Sequence, residues 1–370
     1  MTSTIIYDKI IIWIQKHNLS LAVIWVLSTA IPFSYFLVLA ALTGNLWEKD
    51  GIAGFFNDYN FMNSLFVAIP LTIEFYFLLG DFIEDCVEGL VKNKVFGSPL
   101  QQHYDTVNEF LRSMSKDLSS SRWMLLALAL SVLFVLIAAP SHRGILSWRA
   151  RNTVAFVSME ILWVVSTWFA IVMLLRAVVA IVWINKLFRS FQLHVRPMHP
   201  DRSGGLASLG TFSVRLGYII SAIGFILAAN QLTTQYLYAD TFAVQNKIIL
   251  AVGWGLYFLI APVAFFAPIG AAHEAMLQAK RKEILVFAQE FEKEYQQLRR
   301  KIAHLSYQET KEAVNKMEEI NRLYNIANEF PVWPFQIDKI KRFVASVISP
   351  FLLPILTNLV VEVVVKGLLK

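Results

Sequence analysis

The sequence predicts an all-α integral membrane helical bundle, and three observations carry that prediction. Six apolar runs, at 21–43, 61–80, 123–140, 154–184, 212–230 and 248–269, are joined by polar loops. Of 370 residues, 56% are hydrophobic and 16% charged, against about 45–50% and about 25% in soluble domains. A charged stretch with heptad spacing follows the last run. A bilayer core of ~30 Å takes about 20 residues rising ~1.5 Å each, so the runs have spanning lengths. The mean hydropathy of +0.52 agrees.

Residues 1–18 lack the basic start, short apolar stretch and small-residue cleavage site of a signal peptide, so the first run is expected to be retained; an interfacial helix is expected over 1–20. Ile6, Ile10, Trp13 and Ile14 share one helical face, with Lys9 and Lys16 elsewhere. That pattern predicts a short helix lying in the membrane plane. The transmembrane domain is expected over 21–270. Trp25, Trp47, Trp123, Trp148 and Trp183 fall near run ends, where amphipathic rings sit at headgroup depth. Within 81–122 the second run's helix should continue to about Val95 and turn at Gly97-Ser98-Pro99. A further helix should then return ahead of the third run.

Beyond the sixth run, Leu277, Ile284, Ala288, Phe291, Tyr295, Leu298, Ile302 and Leu305 form a coiled-coil seam broken at Arg281. Ser306 and Glu309 have the spacing of a capping box. A second seam follows at Ala313, Met317, Ile320, Tyr324 and Ala327. Two seams joined at a cap predict a cytosolic antiparallel hairpin over 271–329, pairing of single helices between subunits being the alternative. In 330–370, Pro331 and Pro334 must interrupt helix. The stretch 343–365 is apolar apart from Glu362 and contains Pro350 and Pro354. A seventh span, a re-entrant segment and a helix packed on the bundle all remain open for it.

The distribution of Lys and Arg orients the chain. With the N-terminus in the cytoplasm, the inside segments carry Lys9, Lys16, Lys92, Lys94, Arg112, Lys116, Arg122, Lys186, Arg189, Arg196 and Arg202. The outside loops carry only Lys49, Arg143, Arg149 and Arg151. The net charge of +6 fits contact with anionic membrane lipid, and no nucleic-acid partner is expected. Cys86 is the single cysteine and forms no disulfide within the chain.

An ionisable side chain within the bilayer costs ~2.5–3.5 kcal/mol on insertion scales, so each is a functional candidate. Glu74, Glu160 and Arg176 lie deepest in their runs. At helical steps of seven, four and three, Asp81, Asp85 and Glu88 continue the face of Glu74. Such a carboxylate stripe could line a cation-attracting vestibule. We expect Glu74 to pair with Arg176, and Arg215 to lie near Asp81 or Asp85. Those pairs could equally do no more than set helix register. Glu160, two turns in from the outer face, is expected to snorkel or to make a local hydrogen bond.

The loop from His194 to Leu206 concentrates turn-forming polar residues. Gly204 and Gly205 precede a helix N-terminus, where free N–H groups favour an anion. Arg196, His199, Asp201, Arg202, Gly204 and Gly205 are therefore anion-site candidates, for a lipid headgroup or a nucleotide phosphate. A rigid turn capped by Asp201 is the simpler alternative. His194, His199 and Asp201 are weak metal candidates, because no further ligand matches them. No cofactor is expected.

His199-Pro-Asp-Arg-Ser-Gly-Gly-Leu206 and Phe330-Pro-Val-Trp-Pro-Phe335 resemble two elements of a family of uncharacterised bacterial multi-pass membrane proteins. Those proteins carry an HPDRxGGL loop and an FPxWPF element in this order. The resemblance implies residence in a bacterial inner membrane and leaves activity open. Here Ala207-Ser208-Leu209-Gly210 stands where the family has Gly-Phe-Leu-Gly.

Three functional classes follow. The first is a homo-oligomeric channel or transport-like protein with a cytosolic hairpin. The second is a membrane-anchored sensor, effector or scaffold whose 271–329 segment binds a cytosolic protein. The third, an intramembrane enzyme, is weakest, because His-Glu-x-x-His and Gly-x-Ser-x-Gly are both missing.

Overall fold

The computed structural model describes residues 9–17, 19–100, 105–143, 147–196, 199–201, 203–237, 244–301, 306–334 and 337–360. Its helices are α1 (Lys9–Lys16), α2 (Leu21–Leu42), α3 (Tyr59–Asn63), α4 (Ile69–Lys92), α5 (Val107–Leu118), α6 (Ser121–Arg143) and α7 (Trp148–Arg151). They continue as α8 (Thr153–Ser190), α9 (Ala207–Leu237), α10 (Val244–Phe266), α11 (Gly270–Lys301), α12 (Tyr307–Asn328) and α13 (Ile337–Val360). Seven stretches of helix among the described residues are long and apolar enough to cross a membrane, the seventh being Asp338–Val360. The one sheet described pairs β1 (Phe96–Pro99) antiparallel with β2 (Phe191–Leu193). It ties the turn after α4 to the end of α8.

Prolines inside these helices are accommodated locally. A π-turn at Ser64–Ala68 joins α3 to α4, with the Ile69 N–H donating to the Ser64 carbonyl. The wider turn lies immediately before Pro70, where a regular ladder would lose a bond. In α13, Pro350 has no N–H for the Ser346 carbonyl four residues back. The Ser221 hydroxyl of α9 donates to that carbonyl instead, as does Ser349 Oγ at 3.2 Å. Tyr257 of α10 donates to the neighbouring Val347 carbonyl at 2.8 Å. Such donors let an apolar helix run on through proline.

Helix α9 is the hub, with 56% of its most apolar window buried against 17% for α2 and for the α5–α6 stretch. Two glycines two turns apart open its flank. A Cβ on Gly217 would come within 2.5 Å of Phe343 of α13, and one on Gly224 within 2.7 Å of Tyr257. The outer helices turn large apolar side chains away from the bundle. Val26, Ile31, Val38 and Leu42 on α2, Leu125, Leu133 and Ile137 on α6, and Leu259 and Val263 on α10 are all exposed. A water-soluble monomer rarely shows so extensive an apolar surface.

Helix α5 buries Phe110, Met114, Ser115 and Leu118, and Asp117 anchors its end to Trp183 Nε1 at 2.8 Å and to Arg122. On α1, Ile11 is buried while Trp13 is exposed; Ile6 lies outside the described residues.

Helices α11 and α12 run antiparallel, Lys280 Nζ reaching the Asn328 carbonyl and Lys316 Nζ meeting Glu294 at 2.5 Å. The capping box is present: Ser306 Oγ accepts the Glu309 N–H, and Glu309 accepts the Ser306 N–H. All five α12 seam residues are buried or half-buried. The α11 seam is corrected by the structure. Leu277 is half-buried as expected, and from Ile284 on the half-buried set is Ile284, Phe287, Phe291, Glu294 and Leu298, whereas Ala288 and Tyr295 are exposed. Ile302 and Leu305 lie outside the described residues.

Candidate functional site

The acidic face of α4 is the first candidate. Asp81, Asp85 and Glu88 are exposed and Glu74 is half-buried, as expected for a helix face left open between neighbours. Asp85 Oδ2 meets Arg215 NH1 of α9 at 2.5 Å, and that guanidinium lies 4.9 Å over the Phe82 ring. No ion pair to Glu74, Asp81 or Glu88 occurs among the described residues. Glu84 is a fifth carboxylate that the seven-four-three spacing misses, because it falls beside that row. It is half-buried, with Oε1 enclosed and without a hydrogen-bond donor.

Arg176 lies elsewhere than expected. It is 1% exposed, and its Nε donates to the Leu118 carbonyl at 3.2 Å. Its guanidinium carbon sits 5.1 Å over the Tyr76 ring. Leu118 is the last residue of α5, so Arg176 places a cation at the negative end of that helix. The charge supports α5 rather than Glu74. Sequence pattern could not show this, because α5 reaches Arg176 only by folding back onto α8.

Glu160 accepts from His142 Nδ1 at 2.8 Å, His142 stacks on Trp163, and Glu160 Oε2 is enclosed without a donor. At the same end of the bundle lies a cluster that sequence reasoning missed. Asp58 is fully buried and caps α3 by accepting the Phe61 N–H at 3.1 Å. Its Oδ2 also accepts from Ser147 Oγ at 2.5 Å and Arg149 Nε at 2.6 Å. Of the three arginines in the outside loop 141–152, Arg149 is thus held inside protein, and Arg143 lies over Phe156.

At the other end of α4, the His194–Leu206 loop is organised by its own carboxylate. Asp201 Oδ1 accepts the N–H groups of Ser203 at 2.9 Å and Gly205 at 3.0 Å, and Oδ2 accepts that of Ala207 at 3.2 Å. His199 Nδ1 stands 2.8 Å from Oδ1. Burial pushes the Asp201 carboxyl up, but these four hydrogen bonds outweigh it and hold the group below the ordinary aspartate value. The expected anion site is therefore filled from within: Asp201 occupies the α9 N-terminus that an external anion would need. Arg196 is exposed, and Arg202 lies outside the described residues.

Gly204 and Gly205 have φ of +67° and +96°, and a Cβ on Gly204 would meet Val195 at 2.5 Å and Phe330 at 3.2 Å. The Gly205 carbonyl accepts from Asn93 Nδ2 at 2.8 Å. The two short motifs of the sequence thus touch, Phe330 being buried beside the glycine pair. Close by, His273 Nδ1 donates to the Val332 carbonyl at 2.8 Å, and its ring stacks on Trp333. Lys339 Nζ donates to Thr211 Oγ1 at 2.9 Å. Phe335 lies outside the described residues. His194 lies apart from the Asp201 bonds, its ring filling the space a Cβ on Gly97 would take. Among the described residues no His, Cys, Asp and Glu group of three could hold a metal.

No family model, curated protein or solved structure matches this chain.

Proposed function

We propose that this chain is a multi-pass protein of a bacterial inner membrane, N-terminus cytoplasmic, that assembles with copies of itself as a cation channel or transport-like protein. In this reading α11 and α12 form a cytosolic hairpin that assembles or regulates the subunits. The carrying observation is the acidic face of α4. Glu74 lies about 22 Å along the helix from Tyr59, well inside a bilayer core of ~30 Å. It has no ion-pair partner among the described residues, and three exposed carboxylates continue its face. Facing lipid, such a group would cost ~2.5–3.5 kcal/mol; facing water in an acid-lined path, it would attract cations. In one copy this face is an open surface, so a second copy is needed to enclose it.

The test is cation flux in liposomes reconstituted with the full chain, with cross-linking to count subunits. Flux that falls at least tenfold in Glu74→Gln, with assembly unchanged, supports the reading. Absence of flux in wild type, or identical flux in Glu74→Gln, removes the path along α4.

A second reading is favoured by α11 itself. Leu285, Val286 and Tyr295 are exposed on it, which would suit a cytosolic protein partner and a role as sensor, effector or scaffold. Leu285→Lys with Tyr295→Lys in the full chain should then abolish partner binding while leaving membrane insertion and flux unaffected.

A further inference from the structure

A cleft of about 730 Å³ opens between β2 with its following loop and the start of α11. Its position relative to the apolar belt gives it meaning. The apolar run of α8 ends at Ile184, and Lys186 Nζ sits 4.8 Å over the Trp183 ring, a pairing typical of the membrane–water boundary. Phe188, the first cleft residue on α8, follows one turn later, about 6 Å further along the helix. The cleft therefore begins just past the end of the apolar belt on the membrane reading above, on which this inference rests.

The lining has two chemical halves. Phe188 and Phe191 are buried at its floor, and Leu100 is 64% exposed at its mouth. Arg196 and Lys282 are exposed at its rim, with His194 beside them. Three other basic groups of the bundle are engaged: Arg149 with Asp58, Arg215 with Asp85 and Lys339 with Thr211. Arg196 and Lys282 make no ion pair or side-chain hydrogen bond among the described residues. Among the described residues Glu283 is the one acid on the lining, so the rim they form keeps a net positive charge. An apolar floor beside an unneutralised basic rim matches a molecule with an anionic head and an apolar tail. A small free anion would use only the rim.

We propose that this cleft binds the headgroup of an anionic phospholipid, with Arg196 and Lys282 on the phosphate and acyl chain against Leu100 and Phe191. Each basic residue near an anionic surface is worth about fivefold, and Glu283 offsets one of the two, so a net preference of about fivefold is expected. The test is native mass spectrometry of the full chain released from nanodiscs of phosphatidylglycerol mixed equally with phosphatidylcholine. Wild type should retain phosphatidylglycerol about fivefold over phosphatidylcholine. Arg196→Gln with Lys282→Gln should lose the preference, and the charge-keeping Arg196→Lys with Lys282→Arg should keep it. Equal retention of the two lipids by wild type, or an unchanged preference in the Gln pair, would overturn the proposal. Displacement of the lipid by millimolar inorganic phosphate would also overturn it, in favour of a free anion. Failure of the chain to enter nanodiscs at all would instead remove the membrane reading.

Discussion

Two aspartates at opposite ends of the α3–α4 rod do the same job by different means. Asp58 and Asp201 each accept an N–H at the start of a helix, Asp58 at α3 and Asp201 at α9. Asp201 takes its other donors from within six residues, so its loop is a local device. Asp58 takes its donors from Ser147 and Arg149, 89 and 91 residues away, and is fully buried. The difference teaches what each can hold. A local cap shapes one loop, whereas a buried long-range pair clamps α3 against α7 and the start of α8. Both ends are closed by the protein's own charges, whereas the α4 face and the α11 cleft are open polar surfaces.

The largest way to break this comparison is Asp58→Asn. It leaves the Arg149 guanidinium buried without its counter-charge, at a cost of about 3–5 kcal/mol. Detergent-phase denaturant unfolding measures it. Replacing both residues, as Asp58→Leu with Arg149→Met, should cost far less than the two single changes added. Strict additivity would show the pair to be uncoupled. Arg176→Met should come next, at about 1.5–3 kcal/mol, because a charged donor leaves the α5 carbonyl. Increased hydrogen exchange confined to α5 and its junction with α6 would identify the cause.

Gly204→Ala combines a left-handed φ with a 2.5 Å approach to Val195, and should cost about 1–3 kcal/mol. Asp201→Ala should cost about 0.5–2 kcal/mol as a lost cap, loosening the loop while α3 and α7 stay protected. Equal loosening at both ends would contradict the local role given to Asp201. The smallest effect is with pH. Asp201 has a folded pKa below its unfolded one, so its contribution is complete above the ordinary aspartate value of about 3.9. It fades as pH falls through the folded value. Protection of the Ser203, Gly205 and Ala207 amides should follow that curve, and loss of protection beginning near pH 6 would exclude Asp201 as its source.

Legibility follows the same divide between near and far. The six apolar runs, the Ser306 capping box and the α12 seam were readable, because each depends on neighbours within one or two turns. Asp201 as a cap was readable too, as the simpler reading of its loop. The Asp58 clamp was not, since nothing at position 58 announces a partner beyond position 140. The α11 seam was misplaced by one position at Ala288 and Tyr295. Phe287 and Glu294 satisfy nearly the same spacing, and only the actual line of contact with α12 separates the two faces. Arg176 bonds Leu118 and not the expected Glu74, because helical spacing orders residues along α8 but is silent about the approach of α5.

By itself, the sequence determined which segments are helical and apolar enough to cross a membrane, that Pro331 and Pro334 break helix, and which charges lie within the apolar runs. Those are properties of single segments, governed by hydration and backbone geometry. The tertiary structure alone decided which charges meet, which carboxylates stay open along α4, and that α9 lies at the centre. Ion pairs and packing depend on distances between segments far apart in the chain, and those distances exist only after the helices have assembled.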